Sequence, residues 1–120
     1  MNNQRRFSRI KCIEKSIVET DSRTVQVQLL DISLKGALIE HPQDLAVQRG
    51  NRWKLLFRLD SSDIVLQFGT EVVHCSGTHA GVKFIETDLD TMIHLRSLIE
   101  ARSVNPEQVK HELSFLTDND

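Results

Sequence analysis

The stretch "RRFSR", Arg5 to Arg9, sets two guanidinium groups four residues apart, on one side of either an extended chain or a helical turn. Extended, that spacing covers ~13 Å, comparable to a dinucleotide-sized ligand. A guanidinium matches phosphate oxygens in pairs, and it also matches the O6/N7 edge of guanine. Arg5 and Arg9 are therefore able to grip a phosphate and a guanine at once, with Phe7 between them to hold the segment on a surface. A frayed, solvated basic terminus explains the same residues, and the spacing alone does not decide between the two.

A second stretch, "LLDISLKGALIE" from Leu29 to Glu40, sets Asp31, Ser33 and Gly36 inside what otherwise reads as a buried strand pair. Alternation runs through Val25, Val27 and Leu29, then restarts at Leu30 and Ile32. A period of two that slips by one residue exchanges the faces of everything after it, so a bulge or bend is expected near Leu29–Leu30. Beyond it Ile32 points inward, and Asp31 and Ser33 are expected to share the outer face. Gly36 suits a turn that needs positive φ or a close backbone approach. A carboxylate, a hydroxyl and turn amides then converge on one spot. Taken alone, the stretch is better accounted for by ordinary hairpin chemistry, with Asp31 and Ser33 capping a turn that Gly36 closes.

The elements that must carry these groups are mostly strands. "TVQVQL" alternates Val25, Val27 and Leu29 against polar residues, and "WKLLFRL" puts Trp53, Leu55, Phe57 and Leu59 on one face. Ile64, Leu66 and Phe68 repeat the pattern, as do Val82 and Phe84 in "GVKF". With a first strand near Ile10 to Val18 and a short one at Ala37 to Glu40, about six strands are expected. Short connections of turn chemistry make the pairing antiparallel and the fold a small barrel or sandwich. The period then lengthens: Leu89, Met92, Ile93, Leu95 and Ile99 fall at helical spacing, with Thr87 as the expected cap and Asp90 three residues on. A second helix is expected from Asn105 and Pro106, with Val109, Leu113 and Leu116 as its buried stripe.

The chain of 120 residues is one domain by length, with apolar and charged fractions (39% and 27%) of a globular protein. No apolar run is long enough for a bilayer, and the basic start lacks the apolar stretch of a secretory signal. Cys12 and Cys75 suggest no disulfide framework, so reduced thiols and a cytoplasmic location are expected. Net charge is −2, but Arg5, Arg6, Arg9 and Lys11 crowd the first eleven residues without an acid. Such local positive potential suits one small anion better than a long duplex.

"RRFSR" followed some twenty residues later by "DISLKG" resembles the PilZ domain, with its RxxxR and [D/N]xSxxG motifs. The resemblance covers nearly the whole chain, including the strand at Gly81 to Phe84 and a C-terminal helix. It implies a mainly β fold, a six-stranded antiparallel β-barrel of split-barrel type with C-terminal α-helices. Residues 1–9 would be a basic arm, 10–86 the barrel and 87–117 the helices of a single domain. The implied ligand is cyclic di-GMP, with no cofactor or metal. Arg5 and Arg9 are the motif arginines and Arg6 a third contact; Asp31, Ser33, Lys35 and Gly36 form the barrel half of the site. An ionised Asp31 only accepts, so it can receive the guanine N1–H and N2–H donors that phosphate-binding groups cannot. Where many PilZ domains carry an aromatic residue, seven positions before Gly81, this chain has His74. An imidazole stacks on guanine with less surface than indole, and an ordinary surface histidine fits the position as well.

The resemblance further implies a stand-alone monomeric receptor that is not an enzyme. Its arm would move on ligand binding and signal to a bacterial partner in motility, chemotaxis or exopolysaccharide control. Catalysis is disfavoured because no nucleophile elbow or Gly-rich phosphate loop is present. Zinc is disfavoured because His74, Cys75 and His79 lack paired CxxC or HxxxH spacing. A small barrel binding single-stranded nucleic acid would need exposed aromatic residues among basic ones, whereas here Phe and Trp alternate as core. A PilZ-like module that binds only protein is the remaining alternative.

Overall fold

The computed structural model describes residues 10–59 and 63–102, with the side chains of 11–14 outside that description. Six strands form in chain order: β1 (Ile10–Glu19), β2 (Thr24–Ile32), β3 (Gly36–Glu40), β4 (Arg52–Arg58), β5 (Val65–Ser76) and β6 (His79–Thr87). They close into a barrel in the order β1-β2-β3-β6-β5-β4, every neighbouring pair antiparallel. The expected architecture is therefore the observed one. A helix, α1 (Leu89–Arg102), follows β6. The arm bearing Arg5, Arg6 and Arg9 and the second expected helix lie outside the described residues.

The alternation that predicts the strands also fills the interior. Val25, Val27, Leu29 and Ile32 from β2, Trp53, Leu55 and Phe57 from β4, and Leu66, Phe68 and Val72 from β5 are all buried. Phe68 stacks on Phe84 with ring centroids 4.0 Å apart and planes 14° from parallel. Each fully buried Leu, Ile or Phe contributes roughly 1.5–3 kcal/mol against exposure, which makes this face the determinant of register.

α1 packs on β5 through Thr91, Leu95 and Ile99, all buried. One expectation is corrected here. The helix is capped by Asp88, whose Oδ1 accepts from the Thr91 N–H at 2.7 Å, and not by Thr87. Thr87 still belongs to β6, and its hydroxyl donates to the Gln67 carbonyl at 2.9 Å. A carboxylate at the helix start meets the dipole better than a hydroxyl, and the Thr91 and Gln67 bonds hold its proton affinity below the ordinary carboxylate value. Only part of the apolar set at helical spacing is covered. Leu89 is 74% exposed and Ile93 47%, because the 91/95/99 line faces β5.

Candidate functional site

At the β2–β3 end, Leu29 pairs with Ile39 and Asp31 with Leu38, which leaves Leu30 as an extra residue on β2. The expected bulge is there. Leu29 and Ile32 are both fully buried while Asp31, between them in sequence, is half-buried on the outer face. Without the extra residue, strict alternation from Leu29 would have put Asp31 inside and Ile32 outside.

Ser33 departs from expectation. It is not on the outer face with Asp31 but only 3% exposed. Its Oγ accepts from the N–H of Lys35 and of Gly36, each at 3.2 Å, and donates to the Gly36 carbonyl at 3.3 Å. The Ser33 N–H also donates to Gly36 O at 2.8 Å. A hydroxyl buried without partners would cost about 1–3 kcal/mol, so it turns onto the nearest free donors, those of its own loop. The turn amides that were expected to face outward are thus bonded to Ser33, while the Lys35 side chain is exposed. The Lys35 carbonyl accepts from the Phe84 N–H at 2.8 Å and ties the turn to β6.

Gly36 is explained by close approach and not by positive φ, which among the described glycines belongs to Gly50 and Gly77. A Cβ at Gly36 would clash with the carbonyl oxygen of Val82 and lie 3.2 Å from the Lys83 Cα.

The β5–β6 end carries a second bulge. Val72 pairs with Val82 and His74 with Gly81, so Val73 is the extra residue. Val72 is buried, and Val73 and His74 are both exposed, whereas strict alternation would have turned His74 inward. The doubled Val72–Val73 resembles Leu29–Leu30, but doubling alone does not mark a bulge, since Leu55–Leu56 in β4 pairs in unbroken register.

Together the two bulges build one line across the outside of the barrel. The pairs Lys11–Asp31, Asp31–Leu38, Leu38–Gly81 and Gly81–His74 run through β1, β2, β3, β6 and β5 in turn. Directly opposed residues share a face, so Asp31, Leu38, Gly81 and His74 form one outward row. Asp31 and His74 stand three strand spacings apart, ~14 Å. Leu38, half-buried, and Gly81, without a side chain, are the floor between them. Neither was singled out as a site residue from sequence, because they meet only through the β3–β6 pairing. A neighbouring outward row holds Lys15, Gln28, Glu40, His79 and Ser76. Lys83, opposite Gly36, lies exposed on the other side.

Arg5, Arg6 and Arg9 are outside the described residues, but their attachment is not. Ile10 pairs with Ile32 and Lys11 with Asp31, so the chain enters the barrel beside the Asp31–Gly36 stretch. Among the described residues no group of three His, Cys, Asp or Glu side chains is arranged to hold a metal ion. Nor is any described helix long and apolar enough to cross a membrane.

The PilZ domain family matches residues 3–101, a span that includes both short motifs. Among solved structures the chain is similar to the PilZ domain with c-di-GMP of YcgR from Escherichia coli, at 16% identity and a TM-score of 0.69, covering 98% of this chain and 100% of that one. It is similar to the Bacillus subtilis inhibitor of motility MotI/DgrA at 15% identity and a TM-score of 0.74, covering 87% of this chain and 53% of that one. A third likeness is to Borreliella burgdorferi PlzA in complex with c-di-GMP, at 17% identity and a TM-score of 0.59, covering 78% of this chain and 40% of that one. The chain thus spans about half of MotI/DgrA and less of PlzA. At these identities the likeness is one of fold.

Proposed function

The chain belongs to the PilZ domain family, and on that premise we propose that it is a receptor for cyclic di-GMP, bound across the outer row from Asp31 to His74. One observation carries the reading: the β1–β2 register sets the root of the arginine arm against Ile32 and Asp31. The strand that follows the first motif is therefore paired with the second motif, more than twenty residues on in sequence, which supports the two acting on one ligand. That the YcgR domain and PlzA were solved with c-di-GMP supports the same ligand here.

The chemistry divides between the two halves. Arg5 and Arg9, with Arg6 beside them, supply the charge-assisted bonds that two phosphates and a guanine O6/N7 edge accept. Asp31 accepts from guanine N1–H and N2–H, donors that cations cannot satisfy. Ser33 and Gly36 act indirectly, by holding the turn that follows Asp31. His74, exposed at the far end, offers a ring for a base to stack on. Ligand draws the arm over the row, and the altered surface is what a partner protein in bacterial signalling reads.

Titration calorimetry with cyclic di-GMP tests the proposal. Arg5→Ala and Arg9→Ala should each remove roughly 1.5–3 kcal/mol of binding, tenfold or more in affinity, with an unchanged melting temperature. Unaltered affinity in both variants would overturn the assignment of the arm.

A further inference from the structure

Two glycines on the paired strands β3 and β6 stand in opposite situations. At Gly36 the fold itself forbids a side chain, since a Cβ would clash with the Val82 carbonyl oxygen. At Gly81 it does not: a Cβ there would meet only the His74 Cβ, at 3.5 Å, an ordinary contact. Gly81 is also not among the glycines with positive φ. Glycine inside a strand is unfavourable, since it loses more freedom on folding and has no side chain to pack. Neither strain nor crowding in the barrel accounts for it.

What Gly81 does provide is a gap in the outer row. On one side of it stands Leu38, half-buried, and on the other His74, exposed. Asp31 lies one strand further on, beyond Leu38. The bare backbone at Gly81 thus continues the low floor begun by half-buried Leu38 and ends at an imidazole, with an acceptor for base-edge donors within two strand spacings, about 10 Å.

We infer that Gly81 is a specificity-determining residue, whose missing side chain is the clearance that lets a planar guanine base lie flat on β3 and β6 between Asp31 and His74. The inference rests on the cyclic di-GMP reading and adds the position of the base. A branched side chain at 81 would stand between Leu38 and His74 and hold the base off the sheet. Asp31 would still be present but unable to reach the edge of a base held off the sheet.

The test pairs Gly81→Val and Gly81→Ala with the unaltered protein, each read by thermal unfolding and by calorimetric titration with cyclic di-GMP. The expected result is a melting temperature equal to or above the original in both variants. Affinity should fall tenfold or more for Val and by less for Ala. If the unaltered protein binds and Gly81→Val binds equally well, the clearance role is refuted while the receptor reading stands. If Gly81→Val melts well below the original, the glycine is a folding requirement and the inference fails. If the unaltered protein does not bind cyclic di-GMP, both readings fall together.

Discussion

At the β2–β3 end of the outer row, the extra Leu30 is followed by a turn closed on itself, with Ser33 bonded to the backbone of Lys35 and Gly36 and Gly36 pressed against Val82. At the β5–β6 end the extra Val73 is followed by an exposed His74, with Gly81 opposite it and space above. Both ends use a one-residue insertion to bring a polar side chain to the surface. They differ in what surrounds it. The first end is over-determined by hydrogen bonds and steric contact, so its residues are constrained by folding whether or not a ligand exists. The second is under-determined, and residue choices there are open to be set by what binds. A serine and glycine in a short motif are thus weaker indicators of ligand contact than an unforced glycine on an open strand.

The comparison is broken most directly at Gly36. Gly36→Val should destabilise the barrel by ~3 kcal/mol, since the clash is with backbone that cannot move without separating β3 from β6. Chemical denaturation that left Gly36→Val as stable as Gly81→Val would erase the distinction between the two ends.

Asp31→Ala sharpens the functional side. Asp31 is half-buried on the outer face and clashes with no backbone when truncated, so its loss should cost less stability than Gly36→Val. Binding of cyclic di-GMP should weaken roughly tenfold or more, through loss of the acceptor for guanine N1–H and N2–H. Calorimetry showing the reverse, a large stability loss with unaltered affinity, would make the first end structural throughout.

The smallest effect is expected from Asp88→Ala, which touches neither end of the row. It removes the α1 cap and should lower the melting temperature modestly while leaving affinity for cyclic di-GMP unaltered. The sign of its pH dependence follows from the lowered proton affinity of Asp88 in the folded state. The cap's stabilisation is present above the ordinary carboxylate pKa and disappears as pH falls through the lower, folded value. Melting curves in acid should therefore converge for the original protein and Asp88→Ala.

Much of this was legible in the sequence because it follows from local periodicity. Alternating apolar residues announced the strands, the doubled Leu29–Leu30 announced the first bulge, and the change of period after Phe84 announced α1. The helix cap was misplaced by one residue because Thr87 and Asp88 are both good caps, and only the β6 pairing keeps Thr87 in the sheet. Which apolar residues of α1 are covered was not legible, and Leu89 and Ile93 are exposed, because the side of a helix that is covered depends on how it approaches β5.

For the site, residue types and spacing determined by themselves which groups were available: guanidinium pairs, one carboxylate, a turn, a histidine. Tertiary structure alone decided which of them face each other. Ser33 lies buried and bonds its own turn because a buried hydroxyl must find partners and those amides are nearest. Leu38, Gly81 and His74 joined Asp31 because barrel closure places β6 beside β3 and two bulges correct the faces. A row of side chains that crosses several strands exists only in the pairing register, and no stretch of contiguous sequence encodes it.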